Sequence, residues 1–272
     1  MAYSARVICD SIGAHGGRLV TVEATYPRFV HSELLTHRVF SRNSSSSRAI
    51  PIEKMIQRVI DDPVMPVSWG RNQRGMQAGA ELSGDELAAA QAAWLRGREA
   101  AVEIARTLAA AGLHKQVVNR VLEPWMWITV LITATEWGNF FAQRCHPDAQ
   151  PEIRVAAELI RDAMAASVPV LRPFGRRSAE AWHLPFITDE DRAAFDLDTL
   201  RRISVARCAR VSYLTHDGKR DPQADLDLAQ RLASANPPHW SPFEHVAKVK
   251  PTEGFFANFH GWQSYREYLE LS

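Results

Sequence analysis

The hydrophobic pattern near the start of the chain predicts a strand, a helix and then a polar loop. Residues 18–25 are rich in β-branched side chains and follow a Gly-Gly pair, which predicts a strand. Pro27 suits the first turn of a helix, and the helix is predicted to run to about Phe40. Its apolar residues point nearly all round, as is typical of a buried helix. Residues 41–47 are mostly serine, a poor helix former, and are predicted to be a loop.

The same reasoning assigns the rest of the chain. A capping box at Ser83 and Glu86 predicts the start of a long helix that ends at Gly112. The other predicted helices are 51–60, 114–122, 135–144, 152–167, 199–213, 224–234 and a last one after residue 261; strands are predicted at 125–132 and 246–250. Residues 64–80 and 169–198 are predicted to be irregular. The whole chain, 1–272, is interpreted as one unit with halves at 1–168 and 199–272, joined by the connector 169–198.

Composition narrows the class of protein. The 272 residues are 46% hydrophobic and 23% charged, as in a soluble globular protein. The formal net charge of +1 gives no strong overall field, so any anion site must be local. The cysteines, Cys9, Cys145 and Cys208, are odd in number and widely spaced, which argues against a disulfide framework or a zinc site. Without a secretory signal or an 18-residue apolar run, a cytoplasmic protein is expected.

Ionisable side chains on the first predicted helix require partners. Glu33 and His37 lie four residues apart on one face, and charged groups on a buried helix are costly unless something pairs with them. The serine hydroxyls that follow, together with free backbone N–H groups and Arg48, would suit an anionic ligand. The alternative is that the serine run is a flexible surface loop and that Arg38 only interacts with the helix C-terminal dipole.

A second candidate cation lies on an aromatic stripe. Trp137, Phe140, Phe141 and Arg144 follow helical spacing, so the guanidinium needs an acceptor or a stacking partner. The alternative is that Arg144 ends the helix and reaches into water.

The segment 36–48 resembles the signature of the flavin-dependent thymidylate synthase family, Arg-His-Arg-x-x-Ser-x-Asn-Glu-x-Ser-x-Arg. It departs from this signature at the first arginine, which is Thr36, and at the glutamate, which is Ser44. A family glutamine one turn earlier is Glu33, which could repel a phosphate or pair with an arginine such as Arg42 or Arg71.

Three further patches strengthen the resemblance. Residues 119–124 resemble the family's Arg-x-x-x-Pro segment, and 139–144 its Asn-Phe-Leu-x-x-Arg helix. Residues 209–212 and 239–245 resemble its Ala-Arg-Val-Ser and His-x-Thr/Ser-Pro-Phe-Glu-His motifs. These last two come first in the usual family order, which indicates a circular permutation. Permutation requires chain ends that lie close together, so 246–250 and 18–25 are expected to be neighbouring β segments.

The resemblance implies an α+β fold with helices packed on a small, mainly antiparallel sheet. It also implies transfer of a one-carbon unit from methylenetetrahydrofolate to C5 of dUMP, with FAD as cofactor, NADPH as reductant and a homotetramer with shared sites. No metal is implied. The residues implied to contact FAD are His37, Arg38, Asn43, Asn139, Ser212, His239 and Ser241. The residues implied to bind the nucleotide are Glu33, Ser44, Ser45, Ser46, Ser47, Arg48, Arg120 and Arg144, with Ser46 and Arg144 catalytic.

Three alternatives stay open. The departures from the signature leave room for another pyrimidine nucleotide or a 5-hydroxymethyl product. A second enzyme hypothesis makes Cys145, beside a cation, a nucleophile toward the pyrimidine. A non-enzymatic hypothesis is a protein that binds single-stranded nucleic acid through stacking aromatics and arginines; the residues are Trp69, Arg71, Arg172, Arg176 and Arg177.

Overall fold

The structure, a computed structural model, describes residues 2–175, 178–211 and 221–270. The strands in the described residues are β1 Ser4–Gly13, β2 Arg18–Pro27, β3 Ser41–Ser44, β4 Trp127–Ala134, β5 Val170–Arg172, β6 Trp182–His183, β7 Ala247–Val249, β8 Phe255–Phe256, β9 Phe259–His260 and β10 Trp262–Ser264. The α-helices are α1 His31–Leu35, α2 Ile52–Asp61, α3 Gly84–Ala110, α4 Lys115–Val118, α5 Gly138–Arg144, α6 Pro151–Ala165, α7 Asp189–Ala194, α8 Leu197–Arg210, α9 Pro222–Ser234 and α10 Tyr265–Glu270.

The main sheet has five strands in the order β3-β4-β2-β1-β5. Its pairings are antiparallel except for the parallel pair of β1 with β5, which fits the expected mainly antiparallel sheet. The ladder between β2 and β4 runs from Val20 opposite Ala134 to Pro27 opposite Trp127. A second sheet has the order β10-β7-β6, and β8 pairs with β9. The α+β fold class is therefore confirmed.

The prediction of one helix over residues 27–40 is wrong. The chain forms a short 3-10 helix, Arg28–Val30, and then α1, which ends at Leu35. Leu35 and Val39 are 45% and 40% exposed, so the segment is not buried on all sides. The polar segment that follows is not a loop throughout, because its first four residues pair with β4 as the edge strand β3.

The predicted capping box is also wrong, although α3 begins at the predicted place. Ser83 has the extended conformation of an N-cap residue, but its side chain makes no capping hydrogen bond. The carboxylate of Glu86, the second member of the box, pairs with Arg71 instead. Because the Glu86 carboxylate binds Arg71, it does not accept the backbone hydrogen bond that a capping box requires.

The connector 169–198 is less irregular than predicted. It contributes β5 to the main sheet, β6 to the second sheet, and helix α7. The long strand β1 had no counterpart among the predicted elements. The alternation of buried and exposed residues along β1 is irregular, and its pairing with β2 shifts register between Val7 and Cys9. The strand therefore lacks the period-two pattern that would have predicted it.

The two β segments predicted to be neighbours are neighbours through packing. Strand β7 lies in a different sheet from β2, but Leu19 of β2 belongs to the same buried cluster as Ala247 and Val249. Trp262 completes this contact by donating its indole N–H to the Gly17 carbonyl at 3.1 Å. The order of the motifs along the chain is therefore compatible with the predicted permutation. In the described part of the chain, no helix has the length and apolar character that spanning a membrane requires.

Candidate active site

Arg144, at the end of α5, is held by the segment around α1. Its Nε donates to His37 Nε2 at 3.1 Å, and its Nη1 donates to Glu33 Oε2 at 3.0 Å. Its Nη2 donates to the Glu33 carbonyl at 3.2 Å and to Thr36 Oγ1 at 3.1 Å. Four of the five guanidinium N–H donors therefore have acceptors within the same chain. The alternative in which Arg144 reaches freely into water is wrong.

The Glu33 carboxylate has a different partner from the two that were predicted. Arg42 donates to the carbonyls of Leu35 and His37, and thus fixes the turn after α1. Arg71 pairs with Glu86, far along the chain. The partner of Glu33 is Arg144, which the sequence had assigned to the substrate instead.

His37 is a buried neutral imidazole in this cluster. Its ring lies edge-on to Phe140, with 5.0 Å between ring centroids, and only 6% of the residue is exposed. Burial lowers the pKa of His37, and the nearby charges of Arg144 and Arg42 lower it further. Because Nε2 accepts the hydrogen bond from Arg144, we assign the proton to Nδ1. His37 can therefore orient Arg144 without adding a positive charge.

The serine-rich segment is an ordered part of the fold, so the flexible-loop alternative is wrong. Ser45 and Ser47 are buried: Ser45 Oγ accepts the Thr129 N–H at 3.2 Å, and the Ser47 carbonyl accepts from Asn119 Nδ2 at 2.7 Å. The intervening Ser46 is half-buried and Arg48 is exposed. The alternation leaves Ser46 and Arg48 more accessible than Ser45 and Ser47.

Strand β3 joins the first signature to the patches from the second half. Asn43 Nδ2 donates to the Cys208 carbonyl in α8, next to the Ala-Arg-Val-Ser patch, at 2.8 Å. The strand also packs against the 3-10 helix Ser241–His245, which carries the Ser-Pro-Phe-Glu-His motif. Residues separated by 165 or more positions in sequence thus lie around one short strand.

The remaining residues expected to contact FAD are exposed. Arg38 is exposed, and its side chain has no recorded hydrogen bond or ion pair to any residue that the structure describes. Asn139 is exposed and its Oδ1 accepts from Gln143 at 3.2 Å. His239 and Ser241 are also exposed. Ser212 lies outside the described residues.

Ser44 and Arg120 occupy the edges of the site. Ser44 is half-buried at the end of β3. Arg120 is exposed and donates to Glu123 Oε1 at 2.6 Å, and the same oxygen accepts from Arg28 at 2.8 Å. The carboxylate between the two arginines offsets part of the positive charge that a phosphate would meet there.

A cavity of about 170 Å³ behind the serine segment was missed by the sequence reasoning. Ser45 and Ser47 line it together with Arg58 of α2 and the aromatic side chains Trp125 and Trp127. Burial lowers the pKa of Arg58. The sequence feature that could have predicted this cavity is Arg58, which lies next to the buried Val59 on the amphipathic helix α2.

Neither rival hypothesis gains support from the geometry. Burial raises the pKa of Cys145 more than the nearby charge of Arg161 lowers it, and the Arg144 donors point to other acceptors, so Arg144 does not activate the thiol. The described residues proposed to read nucleic acid have partners within the protein: Trp69 donates to Pro66, Arg71 pairs with Glu86, and Arg172 is buried against Ser11. Arg176 and Arg177 lie outside the described residues. No group of side chains suited to a metal ion occurs in residues 2–175, 178–211 and 221–270.

The chain resembles two solved structures of the UMP/dUMP methylase PolB from Streptomyces cacaoi. The complex with 5-Br UMP is 18% identical, covers 60% of this chain and 89% of that chain, and has a TM-score of 0.48. The complex with 5-Br dUMP is also 18% identical, covers 60% of this chain and 90% of that chain, and has a TM-score of 0.46. No curated protein sequence matches the chain.

The family assignment rests on the first half of the chain. The family model described as thymidylate synthase complementing protein matches residues 18–170, more than half of the chain. The match includes the serine segment, Arg120 and Arg144, and ends before the two patches of the second half. The protein therefore belongs to the thymidylate synthase complementing protein family and is a flavin-dependent thymidylate synthase-like methyltransferase.

Proposed function

We propose that this enzyme transfers a one-carbon unit from methylenetetrahydrofolate to C5 of dUMP and forms dTMP, with FAD as cofactor and NADPH as reductant. The observation that carries the proposal is the convergence of the signature patches around one short segment. Arg144 meets Glu33 and His37 before β3, and Asn43 within β3 meets α8. Family membership supplies the class of reaction.

The residues near β3 fit a flavin nucleotide. The exposed guanidinium of Arg38 suits a diphosphate, and the exposed amide and hydroxyl groups of Asn139 and Ser241 suit the polar edge of an isoalloxazine ring. His239 is exposed beside Ser241 and is assigned to the same ligand. When bound, FAD supplies the redox chemistry, taking reducing equivalents from NADPH and giving them to the transferred carbon.

Arg144 is the residue that activates the pyrimidine in this proposal. A guanidinium beside the uracil ring stabilises negative charge at N3 and O2, and this charge makes C5 a stronger nucleophile toward the carbon unit. His37 and Thr36 fix the orientation of the guanidinium, so little reorganisation is needed during the reaction. Ser46 and Arg48 are assigned to the nucleotide, with Arg120 as a third phosphate contact.

The exposed position of Arg38 and Arg48 supports a site shared between subunits. A phosphate held only by exposed side chains of one protomer would stay largely solvated, and a second copy would exclude that water. We therefore include a homo-oligomer, with a tetramer as the expected state, in the proposal.

The test is the visible spectrum of the purified protein followed by product analysis. We expect the absorption bands of oxidised flavin and methylation of dUMP when methylenetetrahydrofolate and NADPH are supplied. dCMP and UMP are the comparison substrates, and mass spectrometry separates a methyl product from a hydroxymethyl product. A protein that neither binds FAD nor alters any of the three nucleotides would refute the proposal.

The Glu33–Arg144 pair favours one second candidate, a related reaction on another pyrimidine nucleotide or one that ends at the 5-hydroxymethyl product. The carboxylate reduces the positive charge of the activating arginine. The pair offers both a guanidinium donor and a carboxylate acceptor, so a base with a different pattern of donors and acceptors would form different hydrogen bonds with it. Turnover of dCMP in preference to dUMP, or release of a hydroxymethyl product, would establish this alternative.

A further inference from the structure

Glu33, which departs from the family signature, is in contact with Arg144, which the proposed function assigns to the pyrimidine. Glu33 Oε2 lies 3.0 Å from Arg144 Nη1, and the two side chains are 29% and 18% exposed. The other Arg144 donors are directed at His37, Thr36 and the Glu33 backbone. These other acceptors are neutral, so the carboxylate is the one acceptor in the cluster that carries a charge.

A pyrimidine that binds at this guanidinium would need the same donor. Uracil O2 accepts a hydrogen bond from an arginine, and once N3 has lost its proton the O2 and N3 edge presents two acceptors, much as a carboxylate does. One guanidinium N–H has no recorded acceptor among the described residues, and two hydrogen bonds require a second. The neutral contacts orient the arginine, and the charged contact is the one that a ligand can replace.

We propose that Glu33 gates Arg144: its carboxylate occupies the guanidinium edge that the pyrimidine takes, and nucleotide binding displaces it. The proposal rests on the proposed function, because it assigns Arg144 to the pyrimidine. Glu33 is then a specificity-determining residue, since a ligand must offer acceptors at least as good as a carboxylate to open the pair.

The charge on Glu33 is adjustable. Burial raises the pKa of Glu33; Arg144 opposes this shift and Glu152 of α6 adds to it. Glu152 is itself buried and accepts hydrogen bonds from the Val67 N–H at 2.9 Å and from Gln150 at 2.8 Å. Arg144 and Glu152 are the charged groups that face the Glu33 carboxylate, and His37 is neutral. Protonation on the acid side therefore weakens the gate and frees Arg144.

The experiment compares Glu33→Gln with the wild-type enzyme, both loaded with FAD, by calorimetric binding of dUMP between pH 5 and pH 8. The amide keeps the shape of the side chain and removes its charge. Near pH 8 we expect the variant to bind dUMP about fivefold more tightly, the effect of about 1 kcal/mol from a partly exposed ion pair. The ratio of the two dissociation constants should move toward one as the pH falls from 8 to 5, because the pKa of Glu33 is raised. The phosphate titrates equally in both proteins and cancels in this ratio.

Two controls separate the gate from other effects of charge. Glu136→Gln removes an exposed carboxylate just before α5 that has no recorded partner in the described residues, and should leave dUMP affinity unchanged. Inorganic phosphate, used as a competitor, should bind wild type and Glu33→Gln alike, because the gate acts on the pyrimidine edge. Glu33→Asp keeps the charge but shortens its reach, and should give an affinity between the other two.

Each contrary result has a distinct meaning. Weaker dUMP binding by Glu33→Gln would show that the carboxylate contacts the nucleotide, and equal tightening toward inorganic phosphate would show simple repulsion; either overturns the gate. An unchanged affinity at every pH overturns it as well. If the wild-type enzyme neither binds nor converts a pyrimidine nucleotide, the proposed function itself is refuted. The wild-type measurement alone shows this, before any variant is compared.

Discussion

Thr133 Oγ1 lies 2.8 Å from His245 Nδ1, and this contact links strand β4 of the main sheet to the Ser-Pro-Phe-Glu-His motif. The Thr133 hydroxyl also lies 2.7 Å from Thr21 Oγ1, and Thr21 in turn lies 2.7 Å from His183 Nε2. All four side chains are buried. A buried chain of hydrogen bonds thus connects β2 and β4 with β6 and the motif helix, and it positions one half of the protein against the other.

Thr133→Val is expected to destabilise the protein by about 1–3 kcal/mol, the cost of leaving a buried polar group without a partner. Valine has nearly the same shape as threonine, but it cannot make the hydrogen bond to His245 Nδ1. The other ring nitrogen of His245, Nε2, already has no partner in the described part of the chain. Urea unfolding measures the change. Thr129→Val is the matched control on the same strand, since its 3.0 Å contact to Thr25 stays within the sheet. An equal loss in both variants would contradict a special role for the link between the halves.

The buried histidines should make the fold sensitive to acid. Burial lowers the pKa of His245 to about 3 and that of His183 well below its usual range. The unfolded chain binds protons near pH 6.5 while the native state does not, so stability is complete above that pH and falls as the pH drops toward 3. We expect a loss of about 2 kcal/mol per histidine between pH 7.5 and pH 5.

Urea unfolding at these two pH values measures the loss, and His245→Asn provides the control. The amide cannot titrate, so this variant should be less stable at pH 7.5 but should lose less stability on acidification. A wild-type stability that stays constant from pH 7.5 to pH 5 would mean that these imidazoles reach solvent.

The sequence predicted elements well where periodicity or composition gave a local signal. The amphipathic helix α6 lies where its periodicity places it, and strand β2, which is buried along nearly its whole length, lies where its β-branched residues predict a strand. Strand β3 could not be found in this way, because serine and asparagine favour strands only when a neighbour such as β4 supplies hydrogen bonds. The end of α1 at Leu35 follows from the same tertiary pairing.

The candidate site divides along the same line. The sequence showed which chemical groups the site contains, but it did not show how they pair. It offered Arg42 and Arg71 as partners of Glu33, whereas the fold pairs Glu33 with Arg144. His37 was expected at the flavin, yet the structure packs it between Arg144 and Phe140. Partner choice between distant segments depends on three-dimensional position, which local spacing does not encode.

Arg38→Ala should weaken FAD binding without affecting the fold. The side chain is exposed and has no recorded partner in residues 2–175, 178–211 and 221–270. A lost charged hydrogen bond to a phosphate corresponds to about a tenfold or greater rise in the dissociation constant, measured by flavin fluorescence. Arg42→Ala is the contrasting variant, because Arg42 donates to the Leu35 and His37 carbonyls and should lower the melting temperature. Unchanged flavin affinity in Arg38→Ala would remove Arg38 from the cofactor site.

Cys145→Ala should retain turnover within about twofold, because a thiol whose pKa is raised by burial is a poor nucleophile. Its side chain packs at the edge of the main core, so a modest fall in melting temperature is expected. The measurement is the rate of product formation with all substrates saturating. Complete loss of product in a variant that stays folded and binds flavin would restore the covalent hypothesis.

Arg48→Ala should raise the KM for the nucleotide by about tenfold or more while kcat and the melting temperature stay close to wild type. Arg48 is exposed, follows the ordered serine segment, and has no ion pair to another described residue, so its removal costs the fold little. A phosphate would lose one charge-assisted hydrogen bond, which is worth about 1.5–3 kcal/mol. Lys54→Ala, which removes an exposed cation from α2, is the control and should leave KM unchanged. Equal effects of the two substitutions would mean that the nucleotide senses only the general charge of this surface, and Arg48 would then have no specific contact with the phosphate.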